Sequence, residues 1–117
     1  MCNGVAVIVD DNLSISKLVK RFMERMGFKV VVFSCPMDVV DFISTKNGGK
    51  TRVLITDVDM PGMLGTELTR RVKFDFPDII VVCMSGNNEN EESCWENGCD
   101  FFVSKPFKFA DFKNLEI

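Results

Sequence analysis

The chain has 117 residues, with 14 Lys and Arg against 17 Asp and Glu, a formal net charge of −3 and no histidine. That length fits a single domain over residues 1–117, and an apolar fraction of 46% supports a packed core without staples. Without an extended basic tract the chain lacks the footprint of a direct nucleic-acid binder, and without histidine it excludes a phosphohistidine donor and any Ser/His or Cys/His nucleophile pair. The one basic cluster, Lys17, Lys20, Arg21 and Arg25, reads as a solvated helix face. Cys2, Cys35, Cys83, Cys94 and Cys99 contain no CxxC, so no usual zinc spacing can be written, and Cys83 falls in an apolar strand as a small hydrophobe. An odd cysteine count, no signal peptide and no membrane-length apolar run predict reduced thiols in a cytoplasmic protein with no membrane partner.

In chain order, Val5 to Val9 is a continuous apolar run ending in Asp10-Asp11, the pattern of a buried parallel strand. Ile15, Leu18, Val19, Phe22, Met23 and Met26 follow the helical period, with Gly27 at the C-cap position. Val30 to Phe33 reads as a second strand, and Pro36 opens a helix reaching about Thr45 before Asn47-Gly48-Gly49. Val53 to Ile55 is a third strand that delivers Asp57 at its end. Leu64, Leu68 and Val72 mark a helix stopped by Pro77. Ile79 to Met84, the most apolar run, predicts a central strand. A weaker helix over Glu89 to Asn97, with Cys94 and Trp95 as its apolar members, closes at Gly98. Phe101 to Val103 is a last strand, and a final helix starts at Phe107. That helix is short and ends on Glu-Ile, which suggests a domain cut from a longer chain.

Five β-α units in series predict an α/β, doubly wound parallel sheet with helices on both faces. In such sheets ligands bind beyond the carboxyl ends of the strands, at the reversal of strand order. Asp10 and Asp11, Asp57, Ser85 and Lys105 all fall at that edge. Taken singly each has a plainer reading. Asp10 competes with Asn12 for the N-cap of the first helix, Asp57 and Ser85-Gly86 also suit turns, and Lys105 also suits the surface. Gly62 and Gly65 read as backbone devices. Joint placement on one edge is the argument for a site. Three carboxylates there repel one another unless a cation or a proton intervenes, and an all-oxygen donor set suits Mg²⁺. Lys105 and the Ser85 hydroxyl complete a cradle suited to phosphoryl transfer, which needs positioning and charge neutralisation.

Val9-Asp10-Asp11-Asn12, Thr56-Asp57 through Met60-Pro61-Gly62 to Gly65, Met84-Ser85-Gly86 and Phe102 through Lys105-Pro106-Phe107 together resemble the signatures of response-regulator receiver domains, in order and over essentially the whole chain. The resemblance implies a flavodoxin-like (βα)5 fold with strand order 2-1-3-4-5. It implies Asp57 as phosphoacceptor, and Mg²⁺ held by Asp11 and Asp57, by Asp10 through water and by the Asp59 carbonyl. Ser85 and Lys105 are implied to hold phosphoryl oxygens, Phe102 to be the switch aromatic, and the Lys105–Pro106 bond to be cis. Cys99 stands where the family usually has a small residue, and Asp59 and Asn87 flank the site. The implied partners are a sensor histidine kinase or histidine phosphotransfer protein as donor, and a downstream effector or output domain. Such a receiver is a phosphoacceptor that promotes its own phosphorylation and dephosphorylation rather than a turnover enzyme. Two alternatives stand beside it. Asp57-Val58-Asp59 fits the nucleophile motif of haloacid-dehalogenase-type phosphatases, although those place their acidic metal pair downstream. A non-phosphorylated pseudo-receiver would serve only as an interaction module.

Overall fold

The computed structural model describes residues 3–117, so Cys2 lies outside the described residues. Five strands form one parallel sheet in the order β2-β1-β3-β4-β5, where β1 is Val5–Val9, β2 Lys29–Phe33, β3 Thr51–Asp57, β4 Ile80–Ser85 and β5 Phe101–Ser104. The helices are α1 (Leu13–Arg25), α2 (Pro36–Ile43), α3 (Gly65–Asp75), α4 (Asn90–Glu96) and α5 (Phe109–Lys113). This is the doubly wound arrangement that the βα repeat predicts.

Period-two alternation divides the apolar strand residues into two cores. Val7, Val9, Leu54, Val81 and Cys83 face α2, α3 and α4, meeting Val39, Ile43, Leu68, Val72 and Cys94. Ala6, Ile8, Val53, Ile55, Val82 and Met84 face α1 and α5, meeting Val19, Met23 and Phe112. Burial on both faces is why the three inner strands read as unbroken apolar runs. Asn12, not Asp10, caps α1: its Oδ1 accepts from the N–H groups of Ser14 at 3.0 Å and Ile15 at 3.3 Å. Thr69 Oγ1 and Cys83 Sγ, 3.3 Å apart, join α3 to β4; the Cys94 thiol pulls Cys83 down, but the Cys99 thiol and burial outweigh it and push Cys83 up to about 12, so it packs and does not react.

Several boundaries differ from the sequence expectations. Helix α2 stops at Ile43, and a 3₁₀ turn at Gly48–Lys50 feeds a β3 two residues longer at its start than its apolar run. Helix α5 begins at Phe109 rather than Phe107, because Phe107 packs edge-on against Phe112, ring centroids 5.0 Å apart, and Asp111 Oδ2 accepts from the Lys108 N–H at 2.7 Å. On α4 only Cys94 is buried, while Trp95 is 45% exposed, since a seven-residue helix turns only a narrow stripe inward. Among the described residues no helix is long and apolar enough to cross a membrane.

Phe112 is fully buried and its ring also meets Phe22 at 5.8 Å, so it fixes α5 to α1. Phe112→Ala should lower unfolding free energy by about 3–5 kcal/mol in urea titrations. Phe74→Ala, at a position 86% exposed, should stay within about 0.5 kcal/mol of the parent.

Candidate functional site

Parallel pairing places the ends of β1, β3 and β4 side by side, with Val9 opposite Thr56 and Asp57 opposite Met84. Asp10 leaves β1 with its N–H on the Phe33 carbonyl, and its Oδ1 accepts from the Asn12 N–H at 2.9 Å, so its carboxylate is held at the edge. Asp57 is the last residue of β3. The turn behind it is tight: a Cβ on Gly65 would lie 2.0 Å from the Asp57 carbonyl oxygen, so only glycine lets α3 start there.

Asp10, Asp11 and Asp57 each present a carboxylate oxygen within 4.8 Å of the others. Asp10 is 1% and Asp57 7% exposed, whereas Asp11 faces solvent. Lys105 enters from beyond β5, its N–H on the Ser85 carbonyl and its peptide bond to Pro106 cis. Its ammonium donates to Asp57 Oδ1 at 2.9 Å and to Asp10 Oδ2 at 3.2 Å. Burial raises the Asp57 carboxyl above its ordinary value, the Lys105 hydrogen bond pulls it back, and the Asp10 charge raises it again. Burial alone would lower Lys105, but the hydrogen bond to Asp57 and the charges of Asp10 and Asp57 outweigh it and hold the ammonium above its usual range.

Ser85 is 1% exposed and its hydroxyl is fully engaged. It donates to the Asn87 carbonyl at 3.1 Å and accepts from the Asn87 N–H at 3.0 Å and from Asn90 Nδ2 at 2.9 Å. Asn90 Nδ2 also lies 3.4 Å from Asp59 Oδ2, which places the Asp59 side chain on the α4 side rather than among the clustered carboxylates. Phe102, half-buried on β5, packs against the core under α4. A Cβ on Gly86 would meet nothing within 4 Å, so that approach is open. The sequence reading missed Asn90. A polar residue in an Asn-rich loop carries no periodic signal, and only the fold shows it bridging Ser85 and Asp59.

The donor set fits Mg²⁺: three carboxylates converge, two of them buried, with a single ammonium as the cation that now offsets their charge. This oxygen-rich edge lies beyond the carboxyl ends of the strands of a 2-1-3-4-5 parallel sheet, where ligands of such sheets bind. The family model for the response regulator receiver domain matches residues 6–115, and the chain belongs to that family. Two-component response regulator ARR17 of Arabidopsis thaliana is 31% identical over 92% of this chain and 79% of its own length. The DNA-binding transcriptional regulator NtrC of Klebsiella pneumoniae is also 31% identical, over 92% of this chain. A hybrid signal transduction histidine kinase L of Dictyostelium discoideum is 26% identical over 96% of it. The chain spans only 23% of that regulator and 7% of that kinase. Among solved structures, the beryllofluoride-activated DrrB receiver domain superposes with a TM-score of 0.83 at 25% identity, covering 96% of this chain and 92% of its own. Membership accounts for the whole βα series and leaves the phosphatase alternative without support.

A carboxyl whose folded-state pKa exceeds its unfolded value stabilises the fold fully below the unfolded pKa, and that contribution is lost as pH rises through the folded pKa. Ionised Asp57 therefore costs stability at neutral pH. Asp57→Asn should raise the melting temperature at neutral pH without divalent metal. The gain should shrink as pH falls to about 4, where the unfolded carboxyl also protonates. A gain that grows on acidification would contradict this account.

Proposed function

We propose that this receiver accepts a phosphoryl group on Asp57 in a Mg²⁺-dependent reaction and passes the signal on by shifting the loop and helix that follow β4. The observation that carries the reading is the Lys105 ammonium bridging Asp57 and Asp10 inside a three-carboxylate cluster. Asp57 ends a strand whose other residues are almost all buried, so its carboxylate is aimed at the sheet edge with little freedom. Its oxygen attacks the phosphorus of a phosphoimidazole. The new P–O bond forms as the P–N bond breaks, and the imidazole leaves and takes a proton from solvent. Because these 117 residues include no histidine, that donor group lies outside this domain, on a sensor histidine kinase or a histidine phosphotransfer protein. Asp11 and Asp57, with Asp10 through water and the Asp59 carbonyl, would hold Mg²⁺, which when bound would supply charge neutralisation to the phosphoryl oxygens. Lys105 keeps its proton throughout and offers the same oxygens a fixed positive charge.

The response follows from the Ser85 hydroxyl. A phosphoryl oxygen on Asp57 is a stronger acceptor than the Asn87 carbonyl, so Ser85 turns its proton to the site and loosens the 85–90 loop. The vacated volume admits Phe102. The extent is limited by how much better the phosphoryl group fits the shifted state. The face of α4, β5 and α5 then changes for an effector or output domain. Glu89, Glu91 and Glu92 make that face's entry acidic, which disfavours direct DNA contact there.

Acetyl phosphate with Mg²⁺ should add one hydroxylamine-labile phosphoryl group, absent in Asp57→Asn. Label on serine, or label retained in that variant, would refute the assignment, and no label at all would favour the pseudo-receiver. Mg²⁺ alone should raise the melting temperature by linkage, and Asp11→Ala should remove most of that rise.

Saturating beryllofluoride, a non-covalent stand-in for the phosphoryl group, should alter hydrogen exchange across residues 85–105. Ser85→Ala should weaken that response but keep the Mg²⁺ shift. Unchanged exchange at saturation would sink the switch mechanism while leaving Asp57 as acceptor.

A further inference from the structure

Asn90 is the first residue of α4, yet its side chain does not cap that helix. The turn leading into α4 is closed by main-chain bonds. The Asn90 N–H donates to the Asn87 carbonyl at 3.1 Å, and the Glu91 N–H to the Asn88 carbonyl at 3.1 Å. The half-buried Asn90 side chain instead turns back to the end of β4. There Nδ2 donates to Ser85 Oγ at 2.9 Å and to Asp59 Oδ2 at 3.4 Å.

The two contacts differ in kind. A hydroxyl has one proton and two acceptor positions, and those of Ser85 are all filled. The proton goes to the Asn87 carbonyl, and the acceptor positions take the Asn87 N–H and the Asn90 amide. All three bonds run to the loop and α4, and none to Asp57. The Asp59 contact is longer and its residue is exposed, so it anchors less than it orients. An ionised carboxylate only accepts, so it draws the NH₂ end of the Asn90 amide and repels the carbonyl end. With the amide reversed, Oδ1 would face Asp59 and a Ser85 hydroxyl whose proton is already given away. Asp59 thus decides which end of Asn90 meets Ser85.

We propose that Asn90 is a positioning residue, a latch that holds the Ser85 hydroxyl in its loop-facing rotamer. The inference rests on Asp57 as phosphoacceptor and concerns what opposes the response there. For Ser85 to donate to a phosphoryl oxygen, its proton must leave the Asn87 carbonyl. A change of staggered rotamer also carries Oγ away from a donor fixed at the start of α4. The Asn90 bond is therefore made in the resting arrangement and lost in the shifted one, and Asp59 keeps the released amide. Removing the latch favours the shifted state, and a ligand specific to that state then binds more tightly. The sign separates this role from a merely structural one. Ala forms helix better than Asn, so Asn90→Ala does not weaken α4 itself, and a generally loosened site would bind less tightly rather than more.

The test is a beryllofluoride titration at saturating Mg²⁺, followed by amide-shift NMR on the full chain. Asn90→Ala should bind about fivefold more tightly than the parent, the size of one net hydrogen bond lost from the resting state. Asn90→Leu, close to Asn in volume but without a donor, should tighten binding in the same direction. Both variants should keep the parent's Mg²⁺-induced rise in melting temperature. In the Ser85→Ala background, Asn90→Ala should have no further effect, because its partner is gone. Failure of the parent to bind beryllofluoride would overturn the phosphoacceptor reading and the latch with it. A parent that binds, with affinity unchanged or weakened in both Asn90 variants, would overturn the latch alone. So would tightening by Asn90→Ala that persists without the Ser85 hydroxyl.

Discussion

The Lys105 ammonium between Asp10 and Asp57 is the interaction on which the rest of this edge depends. Two carboxylates this buried, with a third beside them, repel strongly unless a cation stands among them. Removing the lysine from such a cluster costs far more than a surface pair is worth, because the carboxylates would stay buried and uncompensated. Lysine suits the position better than arginine. A compact ammonium on a flexible stem can pass from carboxylate oxygens to phosphoryl oxygens without rebuilding a planar fork. Among the described residues the charge balance of the cluster is also incomplete, one cation against three acids, which leaves a net negative charge of the kind that suits a divalent cation.

Such a cluster is built by sheet topology, not by local sequence. Asp10 and Lys105 are separated by nearly the whole chain, and they meet because β1 and β5 flank the inner pair β3 and β4 in one parallel sheet. Parallel strands bring their carboxyl ends to a common edge, and right-handed crossovers keep the helices off it. The two-sided core provides the rigidity. With Val7, Ile8, Leu54, Ile55, Val81 and Val82 all at 0% exposure, the strand ends have little room to move.

This two-sided burial explains what could be read before the fold was seen. Strands buried on both faces give unbroken apolar runs, so their order and the residues at their ends are plain from Val5–Val9 and Ile80–Ser85. Asp10, Asp11, Asp57, Ser85 and Lys105 were legible for that reason, and the family motifs added Asp59 and Phe102. What escaped reading depends on partners distant in sequence. Trp95 reads in sequence only as an apolar member of α4, and nothing there shows that it projects outward, its Nε1 donating to Glu91 Oε2 at 3.1 Å. The bulge at Arg52, where Val5 pairs with Thr51 but Ala6 with Val53, leaves no composition signal, because Thr, Arg and Val are ordinary strand residues. The asparagines of the 87–90 loop look alike in sequence, but in the fold each has its own task. Asn87 holds Ser85, Asn88 Oδ1 accepts from Ser104 Oγ at 2.8 Å, and Asn90 joins Ser85 to Asp59.

That loop is also where the two halves of the site meet. Ser85 Oγ has one proton, and in this structure it goes to the Asn87 carbonyl. Its two acceptor positions serve the Asn87 N–H and the Asn90 amide, and Asn90 is the first residue of α4. A hydroxyl drawn toward Asp57 therefore cannot move alone. It releases the loop carbonyl and pulls on, or breaks from, the start of α4. Helix α4 has little to resist with: seven residues, no side-chain N-cap and one buried anchor, Cys94. Ser104 on β5 is bonded to the same loop through Asn88, which ties the loop to the strand that carries Phe102. A seven-residue helix with one buried anchor has little packing with which to oppose a shift of that loop.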